Sequence, residues 1–187
     1  MKTLYIPILL LSIISITTSK MSRSEFVSKL EKLAKEPSKY RMKYPYNLLY
    51  WDGSTWWCDC SNLLKALFNG RDINDKTKGS YQRVLKDPPD VNADSLINLC
   101  SSLSSDFSKL RNGEPRLIHM NGHIGTYIGK ELQVAAGIVN VIECTGALGG
   151  GIKYTYVDSR GNRLTCKGCS RNLGKWTKHG LPSRWVS

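Results

Sequence analysis

The chain has 187 residues, with 27 Lys and Arg against 15 Asp and Glu, a formal charge of +12 at pH 7. Hydrophobic residues make up 41% and charged residues 22%, which is ordinary globular usage and argues against a disordered chain. The length suits one domain rather than separate cofactor and substrate domains, and no G-x-x-x-x-G-K-[ST] loop is present to cradle a nucleotide.

Residues 1–19 read as a secretory signal peptide. Lys2 gives a positive start, Leu4 to Ile16 is almost all apolar, and Thr17-Thr18-Ser19 supplies small residues for cleavage. An uncleaved anchor is the alternative, but the run is short for a bilayer span. The mature domain is then 20–187, secreted and extracellular, without stable membrane insertion and expected as a monomer. Its positive charges lie over Lys29 to Lys43, Arg71 to Lys86 and Lys153 to Lys178. They form no compact basic run and no nucleic-acid module, so the expected partner is an anionic surface other than nucleic acid.

Ser22-x-x-Glu25 has the form of a capping box, and Phe26, Val27, Leu30, Leu33 and Ala34 then share one helical face up to Pro37. Residues 40–58, dense in Tyr and Trp and holding Pro45 and Asp52-Gly53, read as loop and turn. Cys60 to Asn69 is a second helix with Leu63, Leu64, Leu67 and Phe68 as its apolar face and Gly70 as its stop. Residues 71–93 read as a polar connection, and Leu96 to Leu103 as a third short helix. The period then changes. Arg116 to Met120, Gly122 to Gly129, Val134 to Cys144 and Ile152 to Val157 read as strands, with turns at Gly149–Gly151 and Ser159–Asn162. Helices followed by strands give an α+β class with a mainly antiparallel sheet.

Asp59-Cys60-Ser61 falls where the aromatic loop meets the second helix. A thiol at a helix N-terminus feels the positive end of the macrodipole, which favours thiolate, and the same amides can stabilise an oxyanion. His123 opens a strand of small and apolar residues, a rigid seat for a general base; His119 is its rival. A third group should orient the imidazole. Glu143 is a lone carboxylate in an apolar run and needs a partner if buried, with Asn140 as the rival.

Several ordered motifs resemble the NlpC/P60 family of cysteine peptidases, phage-lysin-like members above all. They are Tyr44-Pro-Tyr46-Asn47, the run Cys58 to Leu63, the Gly122–Gly129 histidine strand, Glu143-Cys144-Thr145, and Trp176-x-x-His179-Gly180. The likeness runs from about Phe26 to the C-terminus. It implies a papain-like α+β fold with N-terminal helices packed on the sheet. It also implies hydrolysis of amide bonds in peptidoglycan stem peptides, an antibacterial or wall-degrading activity with no metal and no cofactor. Cys60 would attack, His123 would serve as base and then acid, and Glu143 would orient His123. Asp59, with Ser61 beside it and Tyr44 or Tyr46 upstream, would hold the substrate's amine end. Asn62 replaces the family's usual Gly, and Glu143 stands where many members have His, which leaves the bond cleaved open between endopeptidase and amidase. A non-catalytic wall-binding module on the same fold and a cysteine acyltransferase are the competing readings.

Six cysteines are present. If Cys60 is free, at least one more is unpaired. Cys166-x-x-Cys169 reads as a local disulfide, and a zinc set from Cys58, Cys60, Cys166 and Cys169 matches no standard ligand spacing. Cys58 and Cys60 point apart on extended backbone, and Cys144 reads as buried and reduced.

Overall fold

The computed structural model describes residues 20–36, 40–41, 49–51, 55–70, 79–80 and 87–187. The signal segment 1–19 and the loop tyrosines Tyr44 and Tyr46 lie outside the described residues.

The first helix, α1 (Arg23–Ala34), forms where its cap and apolar face place it: Ser22 Oγ accepts the Glu25 N–H at 3.1 Å. Phe26, Val27, Leu30, Leu33 and Ala34 are the residues it buries. The Glu25 carboxylate pairs with Lys29 one turn on, at 2.8 Å. Among the described residues no helix is long and apolar enough to cross a membrane.

Residues 40–58 are not all loop and turn. Short strands β1 (Tyr40–Arg41), β2 (Leu49–Trp51) and β3 (Trp56–Cys58) join β4 (Gly79–Ser80) in a sheet of order β1-β3-β2-β4. Aromatic residues suit a pleated surface, and that preference prevails over the nearby Pro and Gly signals. Next, α2 (Cys60–Phe68) is buried nearly all round, beyond the apolar face read from the sequence. Even Lys65 is fully enclosed, its ammonium paired with Asp90. The third helix starts earlier than Leu96 and ends sooner than Leu103. It is α3 (Ala93–Asn98), capped by Asn92, and Ser101–Ser104 forms β5. Asn92 side-chain oxygen accepts the Ser95 N–H at 2.9 Å, which fixes the start three residues upstream of the apolar pair Leu96-Ile97.

The second half supplies β6 (Arg116–Met120), β7 (His123–Val134), β8 (Gly137–Cys144), β9 (Ile152–Val157), β10 (Asn162–Leu164), β11 (Asn172–Lys175) and β12 (Lys178–Leu181). With β5 they make an eight-stranded sheet in the order β11-β10-β9-β8-β7-β6-β12-β5, every neighbouring pair antiparallel. The α+β class with a mostly antiparallel sheet therefore holds. β7 runs on past Gly129, where the register with β8 shifts between Tyr127 and Leu132. Gly129 has φ +74°, and a Cβ there would lie 2.8 Å from the Glu114 amide nitrogen, so the kink needs glycine.

The sheet has two apolar faces. Ile124, Ile128, Ile142 and Ile152 pack against the three helices. Tyr127, Val141, Val157 and Trp176 form a second cluster with Phe107 and Ile118. Side chains alternate along a strand, so His123 shares the face of Tyr127, and Glu143 that of Val141. Cys60 belongs to the helix-side cluster. The three residues expected to act together thus lie on both sides of the sheet, Cys60 on the helix side and His123 and Glu143 on the other.

Candidate active site

Asp59, extended at φ −94° and ψ −178°, caps α2 and turns its carboxylate over the helix start. Its Oδ1 accepts the Asn62 N–H at 2.6 Å and the Ser61 hydroxyl at 3.0 Å, and its Oδ2 accepts the Asn62 side-chain N–H at 2.9 Å. All three residues are buried. The departure at Asn62 thereby has a physical use, because a glycine could not make the second bond to the cap. Asp59 and Ser61, expected to touch substrate, are first of all partners of one another in this cap.

Cys60 opens α2 directly after it and is 5% exposed. The backbone amides of Ile124, on β7, and of Ser61 and Cys60 itself each pull the Cys60 thiol pKa down. The β7–β8 ladder begins at Thr126↔Ile142, so Ile124 lies beyond its end. Burial and then the Asp59 charge push the thiol up to about 12, and the three amides do not reverse this. The expectation of a thiolate is corrected accordingly. A helix end is worth about 0.3–1 kcal/mol, whereas full burial can move a titrating group by about 3–5 units. The resting thiol is neutral.

One residue from Ile124, His123 sits in the cluster on the opposite face. Its Nε2 meets Glu143 Oε2 at 2.5 Å. The ring stacks on Trp176 at 5.5 Å between centroids and 22° between planes. Gly125 leaves room for that stacking: a Cβ there would lie 3.1 Å from Glu143 Cβ and 3.2 Å from Trp176 Cη2. A side chain at Gly125 would press on both neighbours by a few tenths of an ångström.

Glu143 is 1% exposed, and every partner it has donates. Arg163 sends Nε to Oε1 at 3.0 Å and Nη2 to Oε2 at 2.6 Å, and Thr155 donates its hydroxyl to Oε1 at 2.6 Å. Burial pushes this carboxyl up, but the His123 hydrogen bond and charge and the Arg163 fork outweigh it and hold it below its usual range. Arg163 Nη2 also reaches Thr145 Oγ1 at 2.8 Å, and its guanidinium lies 5.5 Å from the Trp176 ring centre. The ring of His123 is therefore held on two sides, by a carboxylate locked from behind and by an indole beneath.

The structure thus brings His123 and Glu143 into contact and places Cys60 at the start of α2, which packs against β7. Among the described residues, no hydrogen bond joins the Cys60 sulfur to the His123 ring. The two rivals are occupied elsewhere. His119 Nε2 meets Asp94 Oδ1 at 2.6 Å, and Asp94 also accepts the Gly122 N–H at 3.1 Å, which fastens the β6–β7 turn. Both polar atoms of the Asn140 amide are taken by the Val157 backbone, at 3.0 and 2.8 Å. His179 is enclosed, its Nε2 on the Asp106 carbonyl at 3.0 Å.

Sequence reasoning missed Arg163 and Thr155, and met Trp176 only within a motif. The one available signal was general: a carboxylate buried as deeply as Glu143 needs compensating donors. Nothing local says that they come from β9 and β10. Cys166 and Cys169 form the expected local disulfide, which removes both from the four-cysteine zinc set. Among the described residues no group of three or more His, Cys, Asp or Glu is placed to hold a metal ion. No family model, curated protein or solved structure matches this chain.

Proposed function

We propose that the chain is a secreted cysteine hydrolase of the NlpC/P60 type, with a papain-like arrangement, that cleaves amide bonds in the stem peptides of bacterial peptidoglycan. One observation carries this reading: a histidine locked to a buried carboxylate and stacked on an indole, on the strand that packs against the helix opened by a cysteine.

With Nε2 directed at Glu143, the ring leaves Nδ1 as the site that takes a proton. The thiol is neutral at rest, so attack and proton transfer are coupled: as Cys60 Sγ bonds to the scissile carbonyl carbon, its proton passes to His123 Nδ1. The imidazolium that forms faces an ionised Glu143, which stabilises it without taking its proton. The amides of Cys60 and Ser61 lie at the helix start and suit the developing oxyanion. His123 then returns its proton to the leaving amine, and water, activated by the same ring, releases the acyl group from Cys60. Substrate entry must bring thiol and ring into hydrogen-bond range, a tightening common when a resting site fills. The +12 charge supports approach to an anionic wall.

The neutral, enclosed thiol favours a second reading, a non-catalytic wall-binding module. Digestion of purified peptidoglycan, followed by mass spectrometry of the released muropeptides, decides. New amide-cleaved fragments with the wild type and none with Cys60→Ala are expected, and the masses name the bond. Binding to walls without any fragment supports the module and sinks the hydrolase.

A further inference from the structure

Beside the candidate site, two thiols that the mechanism leaves unused face each other. Cys58 ends β3, two residues before Cys60, and Cys144 ends β8, one residue after Glu143. Their sulfurs are 3.5 Å apart, and the Cys144 thiol also donates to the Cys58 carbonyl at 3.2 Å. Both residues are buried, at 2% and 1% exposure. The other two free cysteines are placed differently. Cys60 opens α2, and the Cys100 thiol points at the Leu96 carbonyl. Cys166–Cys169 shows that this chain is built to carry a disulfide.

We propose that Cys58 and Cys144 form an intrachain disulfide in the oxidised protein, a covalent tie between the segment carrying Cys60 and the strand carrying Glu143. The sulfurs must close from 3.5 Å to about 2.0 Å. The oxidant is a low-molecular-weight disulfide such as oxidised glutathione. One thiolate attacks it and releases one glutathione. The second displaces the other from the mixed disulfide, so two protons and two electrons leave the protein and two glutathione thiols form. Burial sets the timing: the pair meets oxidant while the chain is still open, and once packed the bond is shielded from reductant. The tie spans a sequence separation of 86, so it removes much freedom from the unfolded chain.

The pairing is independent of the catalytic reading. The test is to refold the full chain in an oxidised/reduced glutathione buffer, block remaining thiols by alkylation, and map peptides without reduction. The expected product links the peptides holding Cys58 and Cys144, with Cys60 and Cys100 alkylated. The same map on Cys60→Ser assigns the bond to Cys58, which shares a tryptic peptide with Cys60. Alkylation of both Cys58 and Cys144 after oxidative refolding, or a link through Cys60 or Cys100 instead, overturns the proposal. As a second measurement, the thermal midpoint of Cys166→Ser/Cys169→Ser should fall by several degrees on reduction. That of Cys58→Ser/Cys144→Ser should not respond through this tie. Because the packed bond is shielded, the reduced sample is made by unfolding in reductant and refolding, and an unchanged midpoint of the first variant then counts against the pairing. A linked protein that digests no peptidoglycan would refute the hydrolase and leave the disulfide standing.

Discussion

Two histidine–carboxylate pairs stand at the β6–β7 turn, and they are built in opposite senses. In one, the ring of His119 is enclosed at 6% side-chain exposure while its partner Asp94 is 49% exposed. In the other, Glu143 is fully enclosed while the His123 side chain keeps 15% exposure. His119 Nδ1 is buried with no partner, so that ring has no accessible lone pair to use. Burial lowers the His119 pKa, opposed by the Asp94 hydrogen bond, and keeps the ring neutral. Glu143, in contrast, has its negative charge fixed by Arg163 and Thr155 before the histidine needs it. A His–carboxylate contact is therefore not by itself a catalytic signature. What matters is which partner is anchored in the core and which is left open.

The sharpest way to break this contrast is to remove each ring. His123→Ala should cost roughly 10²–10⁴ in turnover on peptidoglycan, the usual worth of a general base. His119→Ala should keep any turnover of the folded protein within several-fold. Steady-state fragment release, corrected for folded fraction, checks both, and equal losses would end the distinction between the pairs.

The anchors come next. Arg163→Met leaves Glu143 buried without its fork and should destabilise the fold by about 3–5 kcal/mol. Asp94→Asn removes an exposed partner and should cost about 1 kcal/mol or less. Urea unfolding of the two variants gives both numbers, and a mild Arg163→Met would mean that Glu143 does not depend on the core for its charge.

The acid limb of stability tests the same anchoring. Glu143 is held below its ordinary value of 4.5, so its contribution is present above that pH and lost as pH falls through the lowered folded value. The thermal midpoint of wild type should drop below about pH 4.5, more steeply than that of Glu143→Gln. Parallel curves would show that the carboxylate carries no such linkage.

The alkaline limb has the opposite sign and separates Cys60 from a preformed ion pair. Cys60 and Cys100 are raised from 9.0 to about 12, so the folded state keeps protons that the unfolded chain releases, and stability should decline from about pH 9 toward 12. Cys60→Ser should flatten part of that decline, and the alkylation rate of Cys60 in Cys100→Ala should rise only well above pH 9. An alkylation midpoint near neutrality would restore the thiolate picture.

The local rules carried far along this chain where a single element decides its own form. Ser22 and the spacing from Phe26 to Ala34 mark α1, and the bounds of β6 and β9 coincide with Arg116–Met120 and Ile152–Val157. Cys60 at a helix start, His123 on a strand and Glu143 beside it were likewise readable. What escaped are structures whose cause is remote. The residues of β10 and β12 are polar and short, and become strands because neighbours offer ladders. Lys65 is buried with its ammonium on Asp90, a partner 25 residues along the chain. Arg163 reads as a turn-side charge until three strands bring it to Glu143. The thiol was misjudged for a related reason: helix position is local, while burial belongs to the whole fold.

The strand order has a consequence for when the molecule can be finished. β12, from Lys178 to Leu181, lies between β6 and β5, pairing with both. Until residue 181 is available, β5 has no neighbour in the sheet and β6 has one bare edge. Met21 pairs with Val186, and the Met21 N–H bonds the Trp185 carbonyl at 2.9 Å, so the start of α1 is fastened by the same late segment. Among the described residues β12 is thus the only strand joining β5 to the rest of the sheet, and a chain cut before Lys178 should lose that pairing on both sides.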